Sequence, residues 1–331
     1  MKVCIYGAGA IGGHIGAHLV RGGAEVSLIA RGPHLAAMQA NGLTVTSADG
    51  EFTVPVNATD DPASLGPQDY VFITLKSHQV DGVLEKMQPL LGPETAVIPP
   101  TTGIPWWYFS GLEGEHANKR SELLDPGGRQ WDLIGPERAL GCAFWTAAEV
   151  VEPGVIHQDG LRSAYPIGEP DGSKSPRLVA LVEAMTAGGL HAPLQTDIRG
   201  QIWTKMINSL CWNQAAFLTE AINGAFQDAP DVVAVVRRMM VEMEAVAEAL
   251  GATIPVPTEK RITMTVKATD HTMSMLQDLQ RGRPIEIDVL ADSVRAMAEI
   301  ADLPTPTVDA LLALTKLKGR QRGVYANCNG S

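Results

Sequence analysis

The chain has 331 residues, 45% of them hydrophobic, and a formal net charge of −11. It is long enough for two domains, and too acidic for a nucleic-acid or anionic-membrane partner, although a phosphorylated small molecule needs only a local positive site. No apolar run reaches the roughly 18 residues of a membrane span, no signal-peptide pattern precedes the first strand, and four scattered cysteines (Cys4, Cys142, Cys211, Cys328) without a C-x-x-C pair fit reduced thiols in a cytoplasmic protein.

Lys2-Val3-Cys4-Ile5-Tyr6 has the pattern of a short buried strand. It runs into Gly7-Ala8-Gly9-Ala10-Ile11-Gly12, a G-x-G-x-x-G turn that opens a helix. Gly7 permits the tight turn, Gly9 lets a pyrophosphate approach the backbone, and Gly12 lets the helix pack closely on the strand. Free N–H groups at the helix start would face the phosphates, and Ala8, Ala10 and Ile11 are read with the three glycines as cofactor-binding. The helix is expected over 11–20, stopped by Gly22-Gly23, with a second strand over 24–30. Where an NAD enzyme places Asp or Glu for the ribose hydroxyls, this chain has Arg31. A guanidinium there suits a 2′-phosphate, so NADP(H) is the expected cofactor.

A helix is expected over 34–41, and the alternating stretches 43–46 and 52–56 read as a hairpin joined through Ala48-Asp49-Gly50. The apolar run 70–75 reads as a buried parallel strand. Lys76 follows it at the carboxyl end, where doubly wound folds line their ligand crevice. The next strand, 95–99, leads into a loop that carries Thr102 and the pair Trp106-Trp107, whose rings read as core or interface. A polar, glycine-rich excursion covers 110–136. Strand-like stretches at 139–147 and 164–168, a hairpin over 150–157 around Pro153-Gly154, a helix over 175–187 and a short strand at 191–194 complete this half.

Beyond Thr196-Asp197 helical spacing dominates. Helices are expected over 197–221 with Asp197 as N-cap, 232–250, 259–280, 286–300 and 307–318, with a break at Gly282-Arg283-Pro284 and a frayed tail from Gly319. The fold class is therefore α/β: a Rossmann-type doubly wound sheet over 1–196 and an all-helical domain over 197–331 for substrate and dimer contacts. In the first long helix Lys205, Ser209 and Asn213 stand at i, i+4 and i+8 on one face, among Ile, Met, Leu, Cys and Trp neighbours. That polar stripe is either a cleft lining or a solvent face. Ser274 and Glu286 flank the break. On position alone Glu286 is a helix-start acid favoured by the macrodipole. There is no H-E-x-x-H for a metal and no G-x-S-x-G for a serine hydrolase.

Six stretches together resemble the ketopantoate reductase (2-dehydropantoate 2-reductase) family: GAGAIGG at 7–13, Arg31, LKSHQ at 75–79, GIPWWYF at 103–109, IWTK…N at 202–213 and SMLQDLQRGRPIEID at 274–288. The resemblance covers nearly the whole chain. It implies NADPH as cofactor and reduction of a 2-keto acid to a 2-hydroxy acid, 2-dehydropantoate to pantoate in pantothenate biosynthesis, by a homodimer. By position it implies that Lys205 is the catalytic lysine, polarising the ketone and supplying its proton. It implies further that Asn213 contacts the substrate, Ser274 holds its carboxylate, Glu286 binds its hydroxyl, and Lys76 lies beside cofactor and substrate. Two positions depart from the family pattern: Thr102 and Ser209 stand where asparagine is usual. Each replaces an amide by a shorter hydroxyl, which implies a wider or differently wired pocket at the cofactor and substrate. The alternatives are a reductase of another branched 2-keto acid and a catalytically weak NADP-binding sensor or scaffold.

Overall fold

The computed structural model describes residues 1–99 and 102–325. Two compact units emerge, one from residues 1–199 without 102–104, the other from Thr102–Ile104 and the residues from Gly200 onward.

The first unit alternates strands and helices. In chain order it contains β1 (Lys2–Tyr6), α1 (Ala10–Arg21), β2 (Glu25–Ile29), α2 (Gly32–Asn41), β3 (Leu43–Ser47), β4 (Gly50–Val54), β5 (Asn57–Thr59) and β6 (Gln68–Ile73). Then follow α3 (Ser77–Val80), α4 (Leu84–Met87), β7 (Leu91–Ile98), α5 (Arg129–Leu133), β8 (Gly141–Cys142), β9 (Trp145–Glu152), β10 (Val155–Ala164), β11 (Ile167–Gly168) and α6 (Pro176–Ala187). Its main sheet is parallel, in the order β5-β2-β1-β6-β7, with Val3 opposite both Val26 and Tyr70. The first, apolar strand is central because it is covered on both faces: Val3, Cys4 and Ile5 are wholly buried. Strand order reverses beside β1, so the carboxyl ends of β1, β2 and β6 form the switch point at which such sheets bind ligands. A second sheet, β4-β3-β10-β9, and a two-stranded one, β11-β8, complete the unit.

The second unit is helical: α7 (Ile198–Thr219), α8 (Pro230–Ala249), α9 (Thr258–Lys267), α10 (Ser274–Gln280), α11 (Ile287–Ala301) and α12 (Pro306–Gln321). Trp203, Ile207, Leu210, Cys211 and Phe217 of α7 are wholly buried. Among the described residues no helix is long and apolar enough to cross a membrane, and Cys4, Cys142 and Cys211 are buried outside any disulfide. Cys328 lies outside the described residues, as does the Pro100-Thr101 start of the loop before Thr102.

The sheet-plus-helices architecture expected from the sequence is the one observed. Four local expectations are overturned. The helix expected over 259–280 is two helices, because the polar run between them turns back, with the His271 N–H on the Ala268 carbonyl, and α10 restarts on a cap supplied by another helix. Residues 191–194 form only isolated bridges to Ala164 and Ile167. The stretch 139–147 splits into β8 and the start of β9. The tail is not frayed between Gly319 and Tyr325: α12 continues to Gln321, and Val324 is buried against its own unit; residues 326–331 lie outside the described residues.

Candidate active site

The glycine turn is built for an anion. Gly7 has φ +106°, and a Cβ there would lie 2.7 Å from the Leu75 side chain. The N–H groups of Gly7 and Ala8 both donate to the Ile29 carbonyl, at 3.2 and 2.8 Å, tying the turn to the end of β2. The first helical bond of α1 runs from the Gly13 N–H to the Gly9 carbonyl at 2.7 Å. The N–H groups of Ala10, Ile11 and Gly12 thus form the open first turn, and the N-cap, Gly9, has no side chain to cap them. A Cβ on Gly9 would meet nothing within 4 Å, which leaves the room a pyrophosphate requires. A Cβ on Gly12 would lie 2.5 Å from the Gly7 carbonyl oxygen and 2.3 Å from Thr74 Oγ1. A dinucleotide phosphate therefore fits: space at the second glycine, close packing at the third, and donors aimed outward.

Arg31 is exposed two residues after β2, in extended conformation as the N-cap of α2. Lys76 is exposed after β6, as the N-cap of α3. Both stand at carboxyl ends of sheet strands, as expected. Two residues of this region escaped the sequence reading. The Thr74 hydroxyl donates to the Gly7 carbonyl at 2.7 Å; its place one residue beyond β6 was the only signal. His34 bridges three segments: its Nδ1 accepts the Gly154 N–H at 2.9 Å, so its Nε2 carries the proton and donates to the Ala8 carbonyl at 2.9 Å. Burial lowers its pKa and keeps that neutral form. Nothing in the local sequence distinguishes it from a surface helix histidine.

In the helical unit α7 is buried nearly all round, and Lys205 and Ser209 are half-buried in an otherwise apolar wall. Of the face predicted from their spacing, Lys205 and Ser209 are thus partly exposed on a largely buried helix. Asn213 is buried, and its carboxamide is engaged within the protein. Nδ2 donates to the Ser209 carbonyl at 2.8 Å, while Oδ1 accepts the Met275 N–H at 2.9 Å and the Ser274 hydroxyl at 3.2 Å. Asn213 therefore caps the first turn of α10 and aligns Ser274, which is itself exposed. The neighbouring Asn208 is turned another way: its Oδ1 accepts from buried Arg261, which pairs with Glu244. It does not stand in for an asparagine at 209.

The Thr102–Ile104 segment is pinned by α11. Ser293 Oγ accepts the Ile104 N–H at 2.9 Å and donates to the Val289 carbonyl at 2.8 Å. Gly103, at φ +83°, passes so close that a Cβ would lie 2.4 Å from the same oxygen. Thr102 is half-buried at the start of this segment. Glu286 occupies the N-cap of α11, yet its side chain makes no capping hydrogen bond. Position predicted a helix-start acid, and Glu286 does stand at the start of α11. Among the described residues no group of three or more His, Cys, Asp or Glu side chains could hold a metal ion.

The model of the ketopantoate reductase PanE/ApbA family matches residues 3–106, and that of its C-terminal domain matches residues 197–319. A 2-dehydropantoate 2-reductase of Mesorhizobium japonicum is 42% identical over 98% of this chain and 100% of its own length. The chain belongs to the ketopantoate reductase family. Members of this family are oxidoreductases that use NADPH to reduce 2-dehydropantoate to pantoate. Among solved structures, a Ralstonia solanacearum MolK2 protein superposes with a TM-score of 0.89 at 36% identity, covering 98% of this chain and 99% of that one. The 2-dehydropantoate 2-reductase of Geobacter metallireducens GS-15 follows at 0.83 and 25%, covering 96% and 100%.

Proposed function

We propose that this chain reduces 2-dehydropantoate to pantoate with NADPH, the reaction of its family. The carrying observation is the Gly7–Gly12 turn, open at Gly9 and closed at Gly12, in a chain 42% identical to a 2-dehydropantoate 2-reductase along nearly its whole length. The first unit, taken as residues 1–196, binds the cofactor, and residues 197–331 bind the substrate.

Bound NADPH supplies the hydride to the keto carbon. The pyrophosphate is held by the N–H groups of Ala10, Ile11 and Gly12, the 2′-phosphate by Arg31, and a further cofactor oxygen by Lys76. Lys205 Nζ donates a hydrogen bond to the ketone oxygen and then its proton, so that the C=O becomes CH–OH and solvent reprotonates the amine. Ser274 donates to the substrate carboxylate. Asn213 acts on that carboxylate through Ser274, an assignment supported by its two accepted hydrogen bonds. Glu286 accepts from the substrate hydroxyl. A panel of 2-keto acids, assayed for NADPH oxidation and product, tests the reading; absence of turnover with every member overturns it.

One observation favours a second reading, a reductase with wider substrate choice. Thr102 and Ser209 offer hydroxyls where the family usually has asparagine. Each missing buried hydrogen bond forfeits roughly 1–3 kcal/mol of discrimination. Restoring both asparagines should then raise kcat/KM selectively for 2-dehydropantoate; no change shows the two positions to be neutral.

A cytoplasmic homodimer is part of the proposal. Buried cysteines outside any disulfide support the compartment. Exposed apolar side chains on α8 and α12, Val235, Val241, Leu314 and Leu317, support self-association. Light scattering at micromolar concentration decides the latter.

A further inference from the structure

Between Gly319 and Tyr325 the chain stays packed on its own unit after α12. Gly323 turns it back, and the N–H groups of Val324 and Tyr325 both donate to the Gly319 carbonyl, at 3.0 and 3.2 Å. The Val324 carbonyl then accepts the Ile285 N–H at 2.9 Å, and the Tyr325 hydroxyl donates to Asp288 Oδ1 at 2.8 Å. Lys316 reaches the same carboxylate oxygen at 2.8 Å. The fit is close: a Cβ on Gly319 would lie 2.7 Å from that of Tyr325 and 3.2 Å from Ile285 Cδ1. Val324 and Ile285 are both buried.

These contacts fall on both sides of one residue. Ile285 is held by its backbone and Asp288 by its side chain, and Glu286 stands between them at the N-cap of α11. With its flanks held, its backbone has little freedom to move. The same contacts engage the nearby carboxylate: Asp288 is paired with Lys316 and hydrogen-bonded by Tyr325. We infer that the segment Val324-Tyr325 after α12 is a strap that sets Glu286 for the substrate hydroxyl, making Tyr325 and Asp288 positioning residues for specificity. This rests on the reading of Glu286 given above.

The test is the ratio of kcat/KM for 2-dehydropantoate to that for trimethylpyruvate, which lacks only the hydroxyl. Tyr325→Phe keeps the ring and removes one hydrogen bond. It should lower the ratio by about 3- to 10-fold and leave the KM for NADPH unchanged. Truncation after Gly323 should lower it further. Asp288→Asn, which keeps an acceptor but loses the Lys316 pair, should move the ratio in the same direction in an independent variant. Glu286→Gln is the reference. If it lowers the ratio while Tyr325→Phe and Asp288→Asn leave it intact, the strap inference is overturned and the assignment of Glu286 survives. If Glu286→Gln itself leaves the ratio intact, that assignment fails and the strap's purpose falls with it.

Discussion

A methyl group at Gly9 separates folding from cofactor binding. Its backbone, φ −77° and ψ −156°, is extended and available to alanine, and an added Cβ meets nothing within 4 Å. Gly9→Ala should therefore change folding stability by no more than about 0.5 kcal/mol. The methyl would, however, occupy the space in which a pyrophosphate approaches the N–H groups of Ala10, Ile11 and Gly12. A hydrogen bond to a charged acceptor contributes about 1.5–3 kcal/mol. Loss of one bond weakens NADPH binding by about 10- to 100-fold. Gly12→Ala is the contrasting variant, since its Cβ would lie 2.3 Å from Thr74 Oγ1, 2.5 Å from the Gly7 carbonyl oxygen and 2.8 Å from Ile5 Cγ2. Backbone cannot yield there as a flexible side chain can. Overpacking of about 1–3 kcal/mol outweighs the roughly 1 kcal/mol that alanine gains over glycine in a helix. Thermal melts without cofactor and calorimetric titration with NADPH separate the two effects. Gly9→Ala should melt like wild type and bind poorly, whereas Gly12→Ala should melt earlier. Wild-type affinity in Gly9→Ala would refute the placement of the pyrophosphate.

The other predictions concern charge. Arg31→Ala should raise the KM for NADPH by the loss of about 1.5–3 kcal/mol of charge-assisted contact and hardly touch NADH; equal losses for both cofactors remove Arg31 from the 2′-phosphate. Lys205→Ala should lower turnover on the order of 10²-fold or more and retain NADPH binding in calorimetry; near-wild-type turnover means that another group donates the proton. His14 on α1 is buried, with its Nδ1 2.7 Å from the Tyr165 hydroxyl, and burial, with His18 close by, pulls its pKa from 6.5 down to about 3. The unfolded chain takes up that proton first, so the contribution to stability is whole above about pH 6.5 and declines as pH falls toward 3. From pH 7 to pH 5 the loss is about 2 kcal/mol for this group alone. Urea unfolding at both pH values should show it in wild type and show a smaller acid loss in His14→Asn; an equal loss in the two proteins assigns the sensitivity elsewhere.

Features set by short-range pattern were legible in the sequence. The buried strand of Lys2–Tyr6, the glycine turn, Arg31 at the end of β2 and the long helices all follow from periodicity and from residues whose backbone demands are local. Features set by distant partners were not. The restart of a helix at Ser274 depends on Asn213, 61 positions away, and His34 acquires its place from Gly154, 120 positions away. Val324 and Tyr325 after α12 are held by Ile285 and Asp288, which no local pattern reveals. Three-residue β5 pairs with β2 at the sheet edge, yet is too short to display an alternation. The face of Lys205, Ser209 and Asn213 lies between these cases. Spacing placed them together on α7, but only the fold distinguishes half-buried Lys205 and Ser209 from an Asn213 engaged in capping α10.

The central claim is the reaction itself. Purified wild-type protein incubated with NADPH and 2-dehydropantoate should form pantoate and NADP⁺ in equal amounts, and Lys205→Ala should form little of either. Tight NADPH binding by a folded wild-type protein that consumes none of it with 2-dehydropantoate would contradict the account, and would mark the chain as a sensor or scaffold built on a reductase fold.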